Sequence, residues 1–193
     1  RADSPDGACI PFESRLPGTA MGQMCLDGTL WVENGIPYSI YCHEWVEMMD
    51  GTMELVELKP DLSGTVGQPI RLFCASAAEW STGSLREDGT RTYVTDGCFL
   101  YRTQIGKLLM IWSSFKNGEY AIGIAESMTG KVFGPWKQQK EPLFDKHGGH
   151  GMIFKTFDGR LCVVLHAPNS PGGAERAHIF EIEDLGHTLK LKK

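Results

Sequence analysis

The sequence predicts an all-β protein made of β-propeller blades, and three observations support this. First, one pattern occurs three times, at residues 25–32, 94–101 and 149–154: a titratable residue beside glycine, followed by an apolar or aromatic run. Second, each copy continues through a glycine-marked turn into another apolar run. Third, the copies recur at the spacing of a four-stranded blade with loops of uneven size. Short apolar runs separated by glycine turns are typical of hairpins and not of helices.

The first blade is predicted over residues 26–73. Asn34-Gly35 is a hairpin-turn dipeptide and lies between two of its apolar runs. Residues 52–58 mix apolar side chains with Glu54 and Glu57, which predicts an outer strand with one face in water.

Two further blades are predicted, over residues 93–144 and 148–191. The longest loop, residues 75–92, precedes them, and an irregular segment rich in proline and glycine, residues 1–24, precedes the first blade. Long loops in compact domains are usually functional or disordered. We therefore expect residues 1–193 to form a single, partial propeller domain with three visible blades.

The composition fits a globular domain that binds a neutral ligand such as a sugar. With 193 residues the chain is long enough for one well-formed core, and its charged and apolar fractions are ordinary. A net charge of −5 without a long basic block disfavours nucleic acid, and no apolar run is long enough to cross a membrane. The six cysteines lie singly, so we expect neither a zinc site nor a disulfide framework.

The sequence shows no signal-peptide pattern. The location therefore stays open between a bacterial periplasmic or extracellular protein and a cytoplasmic one. The chain also lacks an initial methionine, so a mature or partial chain is compatible with the sequence as well.

Asp27, Asp96 and His150 each stand at the start of one copy of the pattern. Since the inner strands of blades face a common axis, these three side chains are expected to converge. The simpler alternative is two ordinary turns, because Asp-Gly is a common turn dipeptide. Glycoside hydrolysis requires two carboxylic groups, and neighbouring carboxylates raise one another's pKa. His150 is expected to bond a carboxylate or to ligate a mainly water-coordinated Ca²⁺ in a central channel, since one histidine is too few for zinc.

Glu44 is a candidate general acid, because the adjacent Trp45 would desolvate its carboxyl and raise its pKa. The alternative is a solvated glutamate at the rim. Trp45, Trp80 and Trp112 are candidates for stacking on sugar rings, and the alternative for each is a core or rim position. Arg176 is a candidate donor to sugar hydroxyls.

Several motifs in a fixed order resemble glycoside hydrolase family 43, and together they cover nearly the whole chain. The resemblance is carried by Leu26-Asp27-Gly28-Thr29-Leu30-Trp31, Asn34-Gly35-Ile36-Pro37-Tyr38, Thr95-Asp96-Gly97, Gly106-Lys107-Leu108-Leu109-Met110-Ile111-Trp112, Gly134-Pro135-Trp136, Gly148-Gly149-His150-Gly151 and Asp158-Gly159-Arg160-Leu161.

The resemblance implies a five-bladed β-propeller, of which this chain would supply the three C-terminal blades. It implies an inverting hydrolysis with an Asp base, an Asp that tunes the pKa of the acid, and a Glu acid. Asp27 matches the tuning Asp, Asp96 matches the position of the acid, and His150 matches a channel histidine that supports Ca²⁺ or a water cluster in several members. The implied activities are β-xylosidase, α-L-arabinofuranosidase, arabinanase and galactosidase, and the implied partner is an oligosaccharide from plant polysaccharide.

Two departures from the family pattern affect the expected chemistry. Asp96 is one methylene shorter than the usual Glu, so either Asp96 or Glu44 is expected to donate the proton. No residue matches the position of the base, which would precede the first visible blade. Three blades do not close a five-bladed ring, so we expect a homo-oligomer or a second chain to complete it, because open strand edges associate. The alternative function is a non-catalytic sugar-binding or assembly module.

Overall fold

The computed structural model describes residues 2–13 and 18–192, so positions 1, 14–17 and 193 of the predicted domain lie outside the described residues. The described part is an all-β protein, as the sequence predicts. Its strands are β1 (Cys25–Glu33), β2 (Ile36–His43), β3 (Thr52–Leu58), β4 (Thr65–Cys74), β5 (Ser84–Leu85), β6 (Arg91–Thr92), β7 (Asp96–Arg102), β8 (Leu108–Lys116), β9 (Glu119–Ser127), β10 (Trp136–Gln138), β11 (Gly149–Lys155), β12 (Leu161–Ala167), β13 (Arg176–Asp184) and β14 (Leu189–Leu191). A one-turn helix, α1 (Trp45–Met48), and a 3₁₀ turn at Ala75–Ala77 interrupt them.

Twelve of the strands form three antiparallel four-stranded sheets of the same topology. The strand orders are β1-β2-β3-β4, β7-β8-β9-β10 and β11-β12-β13-β14, so each sheet is a meander of consecutive strands. The first strands of the sheets lie beside one another, β1 against β7 and β7 against β11. These are the blades of a β-propeller, with β1, β7 and β11 as the inner strands.

The turns within the sheets follow from the turn residues. Asn34 and Gly35 both have positive φ, 53° and 80°, and they connect β1 to β2 in a two-residue hairpin. Asn117 and Gly118 connect β8 to β9 in the same way, with φ of 52° and 84°. Both pairs have the conformation that matches the right-handed twist of the flanking strands.

Each inner strand contains a β-bulge near its start, where two residues face one residue of the second strand. The pairing shifts between Leu26 and Thr29 in β1, between Asp96 and Phe99 in β7, and between Gly149 and Met152 in β11. A bulge re-aims the side chains beside it, and bulges are frequent near active sites.

The positions of the bulges show that the repeat, as aligned from the sequence, is off by one residue in the second blade. The bulged residues with positive φ are Asp27 at 56°, Gly97 at 48° and His150 at 54°, so Gly97 and not Asp96 is equivalent to Asp27. Asp96 instead precedes its bulge, as Leu26 and Gly149 do. Matching the Asp-Gly dipeptides of β1 and β7 gave the wrong register, because the bulge begins at Asp27 in β1 and at Gly97 in β7.

Two apolar cores fill the spaces between the three sheets. Alternate residues of β8 contribute to different cores: Leu108, Met110 and Trp112 face the first sheet, and Leu109 and Ile111 face the third. All five side chains are fully buried. The middle sheet is therefore packed on both faces.

The outer faces of the first and third sheets carry exposed apolar side chains. On β1 these are Leu26, Leu30 and Val32, and on the third sheet they are Met152 and Ile179. None of the described helices is long and apolar enough to cross a membrane.

The predicted long loop at residues 75–92 contains a small hairpin, β5–β6, after the 3₁₀ turn. Within the predicted irregular segment 1–24, the described residues form turns and bends. The hairpin packs near α1, where the guanidinium carbon of Arg86 lies 5.6 Å from the ring centre of Trp45.

Candidate active site

The inner strands bring Asp27, Asp96 and His150 together. Asp27 Oδ2 accepts a hydrogen bond from the backbone N–H of Gly97 at 3.3 Å, across the boundary between the first two sheets. His150 Nδ1 lies 3.7 Å from the same oxygen. The backbone N–H of His150 donates to Ser113 Oγ on β8 at 2.8 Å. The carboxylate of Asp27 thus stands where all three sheets meet.

A close backbone approach makes this convergence possible. A Cβ atom at Gly97 would lie 2.8 Å from both Cα and Cγ of His150, and a Cβ at Gly149 would lie 2.3 Å from the ring of Tyr120. Contacts under 3.0 Å require something to move, so glycine is needed at both positions. Asp27 and His150, in contrast, occupy the left-handed conformation with residue types that tolerate it.

Asp96 is hydrogen-bonded to Asp27 and to Tyr120. Tyr120 donates its hydroxyl proton to Asp96 Oδ2 at 2.8 Å. Burial raises the pKa of Asp96 to about 8, and its hydrogen bond to Asp27 adds to the increase, while the bond from Tyr120 opposes it. Two ionised carboxyls have no proton to share, so one member of the pair must be protonated. At neutral pH Asp96 holds that proton.

Glu44 lies between the last residue of β2 and the first residue of α1, and it is 9% exposed. Its backbone N–H donates to Met24 O at 2.8 Å, which ties it to the chain just before β1. Burial raises the pKa of the Glu44 carboxyl, the charge of Asp27 raises it further, and His43 lowers it. Among residues 2–13 and 18–192 the Glu44 carboxyl has no hydrogen-bond partner. Glu44 is thus a buried acid with a raised pKa and no hydrogen bond to break among these residues, as a general acid should be.

A buried polar network behind Glu44 was not predicted from the sequence. His43 Nδ1 lies 3.2 Å from Glu54 Oε1, and His43 Nε2 lies 2.9 Å from Glu47 Oε2. Glu54 also accepts from the hydroxyls of Tyr41 at 3.3 Å and Thr52 at 3.1 Å. Glu54 is 5% exposed, so the expectation of a wet face at this end of β3 is wrong.

The three candidate tryptophans separate into one surface residue and two core residues. Trp45 in α1 is half-buried and contacts Arg86. Trp80 is 3% exposed and Trp112 is fully buried, with their ring centres 4.9 Å apart in the first core. Trp80 covers Gly123, where a Cβ atom would lie 2.1 Å from the indole. The structure therefore contradicts sugar stacking by Trp80 and Trp112, because neither ring has a free face.

Arg176 and His150 both line one cavity of about 270 Å³. His166 and Glu175 also line it, and His166 Nε2 bonds Asn169 Oδ1 at 2.9 Å. The guanidinium of Arg176 donates to the carbonyl oxygens of Gly173 and Glu175, and its side chain is exposed. The cavity thus adjoins the carboxylate cluster on the His150 side.

The described residues do not fit a protein-ligated metal site at this centre. Within residues 2–13 and 18–192, no group of three or more His, Cys, Asp or Glu side chains has metal-holding geometry. His150 and Asp27 supply only two donor atoms, and Ca²⁺ takes six to eight oxygen ligands. Ca²⁺ in the channel stays a prediction, and no catalytic step below depends on it.

Comparisons with known proteins bear on the fold of the whole chain. The family described as "Glycosyl hydrolases family 43" matches residues 1–183. An endo-arabinase from Bacteroides thetaiotaomicron VPI-5482 is 44% identical, with a TM-score of 0.86 over 94% of this chain. A thermostable family-43 glycoside hydrolase is 23% identical with a TM-score of 0.74, and an endo-1,4-beta-xylanase from the same Bacteroides strain is 18% identical with a TM-score of 0.72. They cover 92% and 89% of this chain, and at these identities they show the fold alone. No protein in the search of curated sequences matches the chain.

The chain is shorter than these relatives. It spans 64% of the endo-arabinase and 60% of each of the other two structures. The activity of the whole protein is therefore a matter of proposal.

Proposed function

The chain belongs to family 43 of the glycosyl hydrolases, and from this premise we propose that it hydrolyses arabinofuranosyl or xylosyl bonds in oligosaccharides from plant polysaccharide, with inversion. An arabinose-containing substrate is the first choice. It is supported by the 44% identity to a protein described as an endo-arabinase.

We assign the general acid to Glu44, and the observation that carries the assignment is the hydrogen bonding of Asp96. The proton of Asp96 is directed at Asp27, and its Oδ2 accepts from Tyr120. Donating that proton to a sugar would break an internal bond and leave two adjacent carboxylates. Glu44 has a raised pKa and no hydrogen bond to lose among the described residues.

In the proposed mechanism, Glu44 protonates the glycosidic oxygen as the bond to the anomeric carbon breaks. Burial and the charge of Asp27 hold the pKa of Glu44 high enough for the proton to be present. A water molecule attacks the opposite face of the sugar, and a carboxylate base removes its proton. Inverting enzymes place acid and base about 6.5–9.5 Å apart.

The base is assigned to none of the described residues. Asp27 and Asp96 share a hydrogen bond and are too close to each other to act across a sugar ring. We propose that the base comes from outside the described residues, in a further segment or in a second chain that completes the ring. A solution mass by light scattering tests the second possibility, since a monomer with full turnover excludes it.

The acid is tested by changing the leaving group. Glu44→Gln should lower turnover of a natural oligosaccharide about 100- to 10,000-fold. The loss should be much smaller for an aryl glycoside whose phenol leaves without protonation. Glu57→Gln, on the neighbouring β3, is the matched control and should leave both rates unchanged. If Asp96→Asn shows this dependence on the leaving group and Glu44→Gln does not, Asp96 is the acid instead.

The substrate is tested with a polymer and aryl glycosides in parallel. Release of oligosaccharides from linear arabinan, with little cleavage of aryl arabinofuranosides and xylosides, would mean internal cleavage. Rapid cleavage of the aryl glycosides would mean terminal cleavage. Proton NMR of the first product shows its anomeric configuration, and a retained configuration would contradict inversion.

The second candidate function is a non-catalytic sugar-binding or assembly module. It is favoured by the lack of an assigned base in the described residues. It predicts calorimetric binding of arabino- or xylo-oligosaccharides by the full-length protein without any release of reducing ends.

A further inference from the structure

Two cavities adjoin the outer edge of the second sheet. The larger, of about 550 Å³, lies between β9, residues 137–143 and the turn before β14. The smaller, of about 300 Å³, is lined by Trp136, Ala77 and Glu79. Residues 137–140 line both cavities, and we call the pair, with this segment between them, the rim groove. Both volumes fall in the range of ligand sites, about 300–1,000 Å³.

The rim groove is separate from the carboxylate cluster. Gln138 in β10 pairs with Ala125 in β9, and the register continues through Met110 to Leu100 in the inner strand β7. Neighbouring strands lie about 4.8 Å apart, so Gln138 is about 14 Å from that inner strand. Asp96 stands at the start of the same inner strand. A sugar bound in the groove therefore leaves the carboxylate cluster accessible.

Trp136 gives the smaller cavity an aromatic surface. Its ring is half-buried, and its N–H donates to the carbonyl oxygen of Val132 at 3.0 Å. This bond holds the ring in one orientation. A fixed ring with an apolar face suits stacking on the apolar face of a sugar.

Gln138 has a fixed side-chain amide with an unused donor. Trp112 Nε1 donates to Gln138 Oε1 at 3.0 Å, and because an indole nitrogen only donates, this contact defines the orientation of the amide. The amide nitrogen is buried and has no hydrogen-bond partner among residues 2–13 and 18–192. A buried donor without a partner is costly, so the groove favours a ligand that brings an acceptor oxygen to Gln138.

Gln139 and Thr188 form a rigid polar wall in the larger cavity. Gln139 Nε2 donates to His187 O at 2.9 Å, and Thr188 Oγ1 donates to Gln139 Oε1 at 2.6 Å. An amide nitrogen has two N–H groups and a hydroxyl oxygen can also accept, so both side chains keep capacity for a ligand. Ile124 and Leu189, both buried, give the cavity an apolar floor.

The charges around the larger cavity are balanced. Lys137 and Lys140 line it together with Glu126 and Glu141, and Glu126 is paired with Lys107. Charges of both signs select neither an anion nor a cation. Amide groups, a hydroxyl and an apolar floor instead suit a neutral ligand with many hydroxyls and an apolar face, which is the chemistry of a sugar.

We propose that the rim groove is a second binding site for a neutral oligosaccharide. Trp136 stacks on one sugar ring, and Gln138, Gln139 and Lys140 donate to sugar hydroxyls. The site anchors a long chain while another segment of that chain reaches Glu44. This anchoring role rests on the proposed function, whereas the binding itself does not.

The first test measures binding without activity. The full-length protein carrying Glu44→Gln is titrated with arabinotriose and with xylotriose in NMR. The side-chain amide signals of Gln138 and Gln139 should shift and saturate with at least one of the two sugars. The amide of Gln104, in the β7–β8 turn and bonded to Asp184 O, is the control and should not shift. Unshifted Gln138 and Gln139 signals with both sugars overturn the proposal.

The second test changes the groove. Lys140→Ala removes an exposed donor and should weaken the binding seen at Gln139 about 3- to 10-fold. Trp136→Ala should weaken it about 10-fold. Lys59→Ala, an exposed lysine in the β3–β4 turn, is the matched control and should leave the affinity unchanged. Trp136 also packs against the first core, so if its variant does not fold, Lys140→Ala decides. Wild-type affinity in every folded groove variant overturns the proposal.

The anchoring role is tested by kinetics. In Lys140→Ala the KM for the polymer that the enzyme cleaves should rise more than the KM for an aryl glycoside, because only the polymer spans both sites. Equal changes in the two KM values overturn the anchoring role.

The outcomes separate the two proposals. Full turnover in Glu44→Gln removes the assigned acid and leaves the binding at the groove intact. Saturating shifts at Gln138 and Gln139 in a protein that hydrolyses no glycoside support the groove and remove the proposed function.

Discussion

The backbone N–H of Gly97 donates a hydrogen bond to Oδ2 of Asp27 across 3.3 Å, although the two residues belong to different sheets. Both residues are bulged and have positive φ. One carboxylate therefore helps to hold two blades together and, in the proposed mechanism, also tunes the acid. This double use makes the centre sensitive to small changes.

Gly97→Ala should destabilise the protein more than an alanine at an open left-handed position. A Cβ atom at Gly97 meets the backbone of His150, whereas nothing lies within 4 Å of a Cβ at Gly118 in the β8–β9 turn. We expect a loss of about 1 kcal/mol for Gly118→Ala and about 3 kcal/mol or more for Gly97→Ala in the free energy of unfolding. Urea denaturation of both variants measures the difference, and equal losses would contradict the close approach.

Asp27→Asn should lower kcat at least about 100-fold, because the proposed acid loses the charge that keeps it protonated. The basic limb of the pH profile should also move to lower pH, since Asp27 raises the pKa of Glu44. Asp158→Asn, an exposed carboxyl in the β11–β12 turn, is the control and should behave as the wild type. Unchanged turnover in Asp27→Asn would remove the tuning role.

Asp96→Asn should make the protein less sensitive to alkaline pH. The pKa of Asp96 is raised from 3.8 to about 8 in the folded state, so between these values the unfolded chain releases a proton that the folded chain keeps. Stability then falls as pH rises through this window. Asparagine can still accept from Tyr120 and donate to Asp27, but it does not titrate. In thermal melts, the Tm of Asp96→Asn relative to the wild type should be higher at pH 8 than at pH 5. The same difference in Tm at both pH values would be evidence against the raised pKa of Asp96.

Trp45 and Trp80 should respond to substitution in opposite ways. Trp45→Ala should raise KM several-fold with little change in Tm, because a half-buried ring beside Arg86 can stack on a sugar. Trp80→Phe should lower the free energy of unfolding by about 1–2 kcal/mol and leave KM unchanged, since the indole fills the space over Gly123. An unchanged KM in Trp45→Ala would place the sugar elsewhere.

The sequence predicted the features that depend on local pattern. Glycine turns and short apolar runs gave the all-β fold, and the shared family motifs gave the family match. The convergence of Asp27, Asp96 and His150 was also predictable, because all three stand near the start of an inner strand.

The features that were missed depend on packing between strands. The bulge after Asp96 begins at Gly97 and shifts the repeat by one residue, and no single residue in the sequence marks that shift. Glu54 looked like a solvent-facing glutamate, but its partners Tyr41 and His43 lie on the neighbouring strand. Trp112 continues an apolar run, and that continuity was the available signal that it belongs to the core.

The alternation along β8 has a consequence for how the molecule opens. Its amides lie between two cores, so exposing them to solvent requires both interfaces to separate at once. The short β10 and β14, at the far edges of their sheets, can detach without such a loss. In hydrogen–deuterium exchange the protein should therefore open from its rim, and the amides of β8 should exchange only in molecules that unfold completely.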